Sequence, residues 1–174
     1  MKLNTRFLVI SFLIAVAIIS RIVPHVPNFT AVSAIALFGA AQYDKKIMAF
    51  LVPITVLFLS DAILGFYSGM EWIYITFILI TLSGFTLRNR VTIPRVIALS
   101  IISSLLVFII TDFGVWLGGG MYPHTWAGFI ACYVAALPFL RNEIFGDLFY
   151  SGLLFGAFYL AQLKFPTLLK QRVK

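Results

Sequence analysis

The sequence predicts an all-α integral membrane protein: a compact bundle of about six transmembrane helices plus one short re-entrant or interfacial segment, in a single domain over residues 1–174. Three observations predict it. Of 174 residues, 61% are hydrophobic and only 11% charged, whereas a soluble domain carries about 25% charged residues. Too little polar surface is left to cover a globule in water. Second, the apolar stretches are continuous, not the alternating segments of about ten residues that build an outer-membrane barrel. Third, 13 Lys and Arg against 6 acids give a net charge of +7, and the basic residues collect in a few short segments. That distribution reads as topology signals, not as a nucleic-acid surface. The length leaves no room for a soluble domain. With no Gly-x-x-x-x-Gly-Lys-Ser/Thr loop present, the chain alone is not expected to hydrolyse ATP.

Taken in order, helix one is expected over Phe7–Val23, behind Lys2 and Arg6. No small-x-small cleavage site follows its apolar core, so it is expected to be retained. Ser11 and Ala15, four residues apart, form a small-residue face that admits another helix, from the same chain or from a partner. Pro24 and Pro27 end the helix and stiffen a connector that carries Arg21, His25 and Asn28, with Thr30 as an N-cap candidate. Arg21 either faces a ligand or snorkels to headgroups. Helix two, Ala31–Tyr43, is rich in small residues and short for a span, so it is expected inside the bundle. Asp44-Lys45-Lys46 is a polar turn. Helix three, Ile47–Phe66, contains Pro53 and ends near Asp61, an acid that must face a cavity, a partner or water. Helix four opens at Glu71 and Trp72 and closes at Arg88-Asn89-Arg90. Helix five runs from beyond Pro94-Arg95 to Leu117. Asp112 lies four residues before Trp116, so the two share a face, and Gly118, Gly119 and Gly120 end the helix. Cys132 reads as a small buried hydrophobe. Trp126–Phe139 is apolar but short and ends at Pro138. Ile144–Leu163 is a full-length run with Asp147 near its start, followed by Lys164, Lys170, Arg172 and Lys174.

Positive charge fixes the expected topology. Lys2, Arg6, Lys45, Lys46, Arg88, Arg90, Arg95 and the basic tail all want the cytoplasm. Seven crossings would put the tail outside. Six satisfy every loop, provided that Trp126–Phe139 does not cross. The expectation is a bacterial inner-membrane protein with both termini cytoplasmic. Its external end then collects the scarce polar and aromatic side chains: Arg21, His25, Asn28, Asp61, Asp112, Trp116, Tyr122, His124, Trp126, Arg141, Asn142 and Asp147. A cluster of this kind at the mouth of an apolar bundle is the candidate substrate site. Trp116, Tyr122 and Trp126 would give flat apolar contact, Arg141 and His124 would meet a carboxylate or phosphate, and Asp112 or Asp147 would accept hydrogen bonds. With two His, one Cys and no metal-ligand spacing, no catalytic residue, metal or cofactor is expected.

The architecture resembles the S component of energy-coupling factor (ECF) transporters, small basic six-helix vitamin-binding proteins. Ser11-x-x-x-Ala15 resembles the Ala-x-x-x-Ala face on which those proteins dock to an energising subunit. Ala136-Leu-Pro-Phe-Leu-Arg-Asn-Glu-Ile-Phe-Gly-Asp147 is similar to the Pro-Phe…Gly-Asp entry to the last helix of the biotin-binding members, with Tyr150 where those carry a Lys. The whole chain is also similar to a family of uncharacterised bacterial inner-membrane proteins with a Pro-His-x-Pro-Asn-Phe-Thr connector (Pro24–Thr30) and a Phe-Gly-Val-Trp-Leu…Met-Tyr-Pro stretch (Phe113–Pro123). The first resemblance implies uptake of a vitamin-like small molecule, bound outside and released inside when an ATP-driven membrane partner reorients the protein. The alternative is a structural or assembly subunit with no ligand, in which Arg141 pairs with Glu143 or Asp147, and Arg21 with Asp61.

Overall fold

The structure is a computed structural model that describes residues 5–118 and 120–169. Lys2, Gly119, Lys170, Arg172 and Lys174, which entered the topology and turn expectations, lie outside the described residues. Six α-helices follow one another: α1 (Thr5–Ile22), α2 (Val32–Gln42), α3 (Lys46–Leu64), α4 (Met70–Gly84), α5 (Ile93–Gly118) and α6 (Trp126–Lys164). Short 3₁₀ turns at Phe85–Leu87 and Pro166–Leu168 extend α4 and α6, and no strand occurs among the described residues. Five segments, built on α1, α3, α4, α5 and α6, are long and apolar enough to cross a bilayer. Polarity is inverted relative to a soluble protein. Ser33, Ser100, Ser103 and Ser104 are fully buried, while Phe12, Ile63 and Leu160 are about two-thirds exposed on the outside. The chain is therefore a membrane-embedded helical bundle.

The bundle is assembled around α2. Its 11 residues span about 16 Å, half the thickness of a hydrocarbon core. All but Val32 are buried, and the helix packs against each of the other five. Ala34, Ala36, Ala40 and Ala41 allow this, because small side chains let backbones come close. Gly84 of α4 answers from the other side: a Cβ there would lie 2.8 Å from that of Ala40 and 3.2 Å from the Leu37 Cα. A helix that stops inside the bundle leaves its last carbonyls without partners. Two arginines supply them. Arg88 donates from Nε to the Ala40 carbonyl at 3.0 Å and from Nη2 to that of Tyr43. Arg6 donates to the Gln42 carbonyl at 2.8 Å and to its side-chain oxygen at 3.0 Å. Positive charge at a helix C-terminus also suits the helix dipole. At the other end the Ala31 amide donates to Ser20 Oγ at 3.0 Å. In the turn after α2, Tyr43 shares a 2.8 Å hydrogen bond with Ser11, and burial pushes its phenol up to about 12. Arg6 also donates to the Leu168 carbonyl, so the two ends of the described chain meet on the Arg88 side of the bundle.

The last helix departs from expectation. Trp126–Phe139 is not a separate re-entrant piece; it is the first part of α6, one helix of 39 residues with Pro138 inside. The polar residues 141–143 are not a loop. Each leaves the same helix on a face that suits it: Arg141 is exposed, Asn142 bonds to the connector after α1, and Glu143 is buried. Pro138 removes one amide, a loss that membrane helices tolerate.

α5 and α6 are anchored at two levels. Ser100 meets Ser151 at 2.8 Å and Ser104 meets Asp147 at 2.7 Å; nearer the turn, the Cys132 thiol lies 3.5 Å from the Asp112 carbonyl. Cys132 is buried, as its apolar setting implied. Eight residue steps along α5, from 104 to 112, thus face fifteen along α6, from 132 to 147, about 12 Å against about 22 Å of helix. The two cannot lie flush there, and Pro138 stands near the middle of the longer stretch. Closer to the tip α5 packs tightly against α4: a Cβ on Gly114 would lie 2.3 Å from Trp72 Cδ1. Gly114→Ala is expected to displace the Trp72 ring and lower stability by about 1–3 kcal/mol, read as a fall in the thermal midpoint of the detergent-solubilised protein.

Candidate functional site

Where α5 and α6 part, a cavity of about 440 Å³ opens at the Arg21 end of the bundle. α5 contributes Val107, Thr111, Asp112 and Val115, and α6 contributes Phe139 and Glu143. Thr76, Phe77 and Ile80 of α4 form the opposite wall, with Ser33 of α2 between them. Arg21, His25, Asn28, Thr30 and Tyr67 line it from the α1–α2 connector and the α3–α4 turn.

The connector is held in place from α6. Asn142 Nδ2 donates to the Pro27 carbonyl at 3.0 Å, and a Cβ on Gly146 would lie 3.1 Å from the Phe29 Cα, so the connector rests directly on the glycine. Phe29 packs against Phe149 and Tyr150 at 5.8 and 5.6 Å between ring centroids. Asn28 adopts φ 62°, a left-handed conformation that asparagine accepts more readily than most residues. The exposed His25 donates from Nδ1 to the Val26 carbonyl at 2.8 Å.

Arg21 forms one side of the wall and is engaged through Nη1. Its Nη1 lies 2.6 Å from Asp61 Oδ1 and donates to Ser60 Oγ at 2.7 Å. Tyr74 donates to Asp61 Oδ2 at 2.7 Å. The acid is 1% exposed, and only this set of partners makes a charge at that depth tolerable. Beside it, desolvation raises the Tyr67 phenol pKa, against the pull of Arg21.

The acids on the opposite wall have no such partner. Glu143 is 7% exposed and has a long 3.4 Å contact from the Ser33 hydroxyl. Asp112 lines the cavity from α5. Asp147, one helical turn below Glu143, accepts from Ser104 at 2.7 Å, and its Oδ1 is buried with no hydrogen-bond partner. Among the described residues the ion pairs are Arg21–Asp61 and Arg6–Asp44, and none reaches Asp112, Glu143 or Asp147.

Of the sequence candidates, Arg21, His25, Asn28 and Asp112 come together on the cavity. Asp61, Asn142 and Asp147 stand behind it as supports or neighbours. The tip aromatics form a separate cluster at the α5–α6 turn. Trp116 donates from Nε1 to the Pro123 carbonyl at 3.2 Å and packs edge-on against His124 at 5.5 Å and Phe129 at 5.4 Å. Trp126 stacks on Phe129 at 5.3 Å and is 75% exposed, and Tyr122 is half-buried in the same turn. Arg141 is exposed, with its guanidinium 6.0 Å from the Phe145 ring. None of these five lines the cavity. Ser11 turns inward to Tyr43, while Ala15 is exposed on the outer face of α1. Glu143 was not among the site candidates. Its signal was its spacing, four residues before Asp147 and so on the same face. The hydroxyls of Ser33, Thr76 and Thr111 carry no signal in a chain with many such residues.

The fold and this cavity define a class: a compact helical membrane bundle with an acid-lined chamber near one end. The chain belongs to DUF6580, a family of unknown function, whose family model matches residues 1–168. No curated protein and no solved structure matches it.

Proposed function

We propose that the protein is a substrate-binding membrane subunit for uptake of a vitamin-like small molecule, with its pocket open to the external side of the bacterial inner membrane and both termini cytoplasmic. One observation carries the reading. A chamber of about 440 Å³, the size that holds a drug-sized ligand, sits at the end opposite Lys45, Lys46, Arg88 and Arg90. Positive-inside distribution orients that end outward. Binding would occur from outside, and release inside would need an energising membrane partner. The face around Ala15 on α1 is the proposed docking surface, since the Ser11 hydroxyl is already engaged with Tyr43.

A second reading, a structural or assembly subunit with no ligand, has one observation in its favour: Arg21 and Asp61 close on each other inside the bundle. Thermal unfolding of the detergent-purified protein against vitamins and their precursors separates the two. A ligand at a hundredfold its dissociation constant adds about 2.7 kcal/mol of stability, a rise of several degrees. Val107→Trp, which fills the chamber, should abolish the rise. Trp126→Ala, outside it, should leave the rise unchanged. If no compound shifts the folded protein, the assembly reading takes over.

A further inference from the structure

Resting on the capture reading, we infer that the chamber takes an organic cation: a protonated amine, a quaternary ammonium or a charged heteroaromatic ring, held between Glu143 and Asp112. The charge balance of the walls carries this. Two groups that can be positive line the chamber, Arg21 and His25. Arg21 is already matched by Asp61 at 2.6 Å, so it has no charge to spare for a ligand carboxylate. His25 sits on the exposed connector at the rim.

Across the chamber, Glu143 and Asp112 face the space with no basic partner among the described residues, and Asp147 lies one turn below. Glu143 is more than nine-tenths buried. A carboxylate at that depth is costly without a counter-charge, and a ligand can bring the counter-charge with it. An anionic ligand would instead add negative charge beside a wall that already carries two acids, with Asp147 behind it.

The remaining lining fits the same class. Phe77 and Phe139 offer ring faces and edges that suit a flat or methylated cation. Thr76, Thr111 and Ser33 supply hydroxyls for its polar edge. Arg141, which could have attracted an anion, points away from the chamber and over Phe145.

Thermal unfolding with three probe sets tests the inference: thiamine, tyramine and benzyltrimethylammonium as cations; nicotinate, pantothenate and biotin as anions; nicotinamide and riboflavin as neutral compounds. At least one cation should stabilise the protein, and no anion should. Glu143→Gln keeps the shape and removes the charge, and should weaken that cation by roughly thirtyfold or more, as loss of one partner of a desolvated charge pair does. Asp112→Asn is the second variant, should the first fail to fold. Trp126→Ala should bind as the parent does.

Stabilisation by an anion or a neutral compound alone overturns the cation assignment and leaves capture standing. So does a cation whose affinity is the same in both acid variants. Stabilisation by sodium alone overturns it too, because the site would then hold an inorganic ion. No shift with any probe, in a protein that stays folded, overturns the assignment and the capture reading together.

Discussion

Arg21→Gln should destabilise the bundle by about 3–5 kcal/mol, because it strands Asp61 as a buried charge without a partner. Asp61 is 1% exposed, pairs with Arg21 at 2.6 Å and accepts a hydrogen bond from Tyr74 at 2.7 Å. The converse change, Asp61→Asn, should cost less, since Arg21 is more exposed and can turn toward water or headgroups. The double variant Arg21→Gln/Asp61→Asn should recover much of the loss, because neither charge is then left alone. Thermal or denaturant unfolding of the four proteins gives the double-mutant cycle. Equal and additive losses would mean that the pair is not coupled in the folded protein.

Arg88→Met should lower stability by about 2–4 kcal/mol, the scale expected for losing two hydrogen bonds from a charged donor to buried carbonyls. The acceptors are the carbonyls of the buried Ala40 and Tyr43, at the C-terminal end of α2. Arg88→Lys should fall between the two, since an ammonium keeps the charge but not the forked geometry that reaches both oxygens. The readout is the thermal midpoint, with amide exchange over residues 37–43 as the local probe. Unchanged exchange there in Arg88→Met would show that Arg6 alone suffices as a cap.

Much of the bundle was legible in the sequence because bilayer physics is strict. Long apolar runs have few alternatives to spanning helices. The small residues of Ala31–Tyr43 announced a buried element too short to span, and α2 is that element. The error came at Leu140–Glu143. Four residues, three of them polar, between two apolar runs look like a loop, and Pro138 just before them reinforces the impression. The helix continues because each polar side chain finds its own setting: outward for Arg141, onto the Pro27 carbonyl for Asn142, into the chamber for Glu143. Sequence shows where such residues occur along the chain but not which side of the helix each one meets.

The candidate site was legible only in part, for the same reason. Arg21, His25, Asn28 and Asp112 were singled out by scarcity, and all four line the chamber. Scarcity also pointed to Trp116, Tyr122, His124 and Trp126, which gather at the tip instead. There a Cβ on Gly128 would lie 2.0 Å from the Pro123 carbonyl oxygen, so the turn folds back tightly on α6 and keeps its aromatics among themselves.

The shortness of α2 also bears on how the protein is made. A segment of 11 residues falls well below the roughly twenty that partition into a bilayer on their own. The insertion machinery therefore has no independent reason to release α2 into lipid. It has to be drawn in after its neighbours are in place, with Arg6 and Arg88 arriving from opposite parts of the chain to close its end. A nascent chain stopped before Arg88 would hold α2 with half of that closure missing. Residues up to about 90 would then form the smallest length of chain that carries both arginines of this closure.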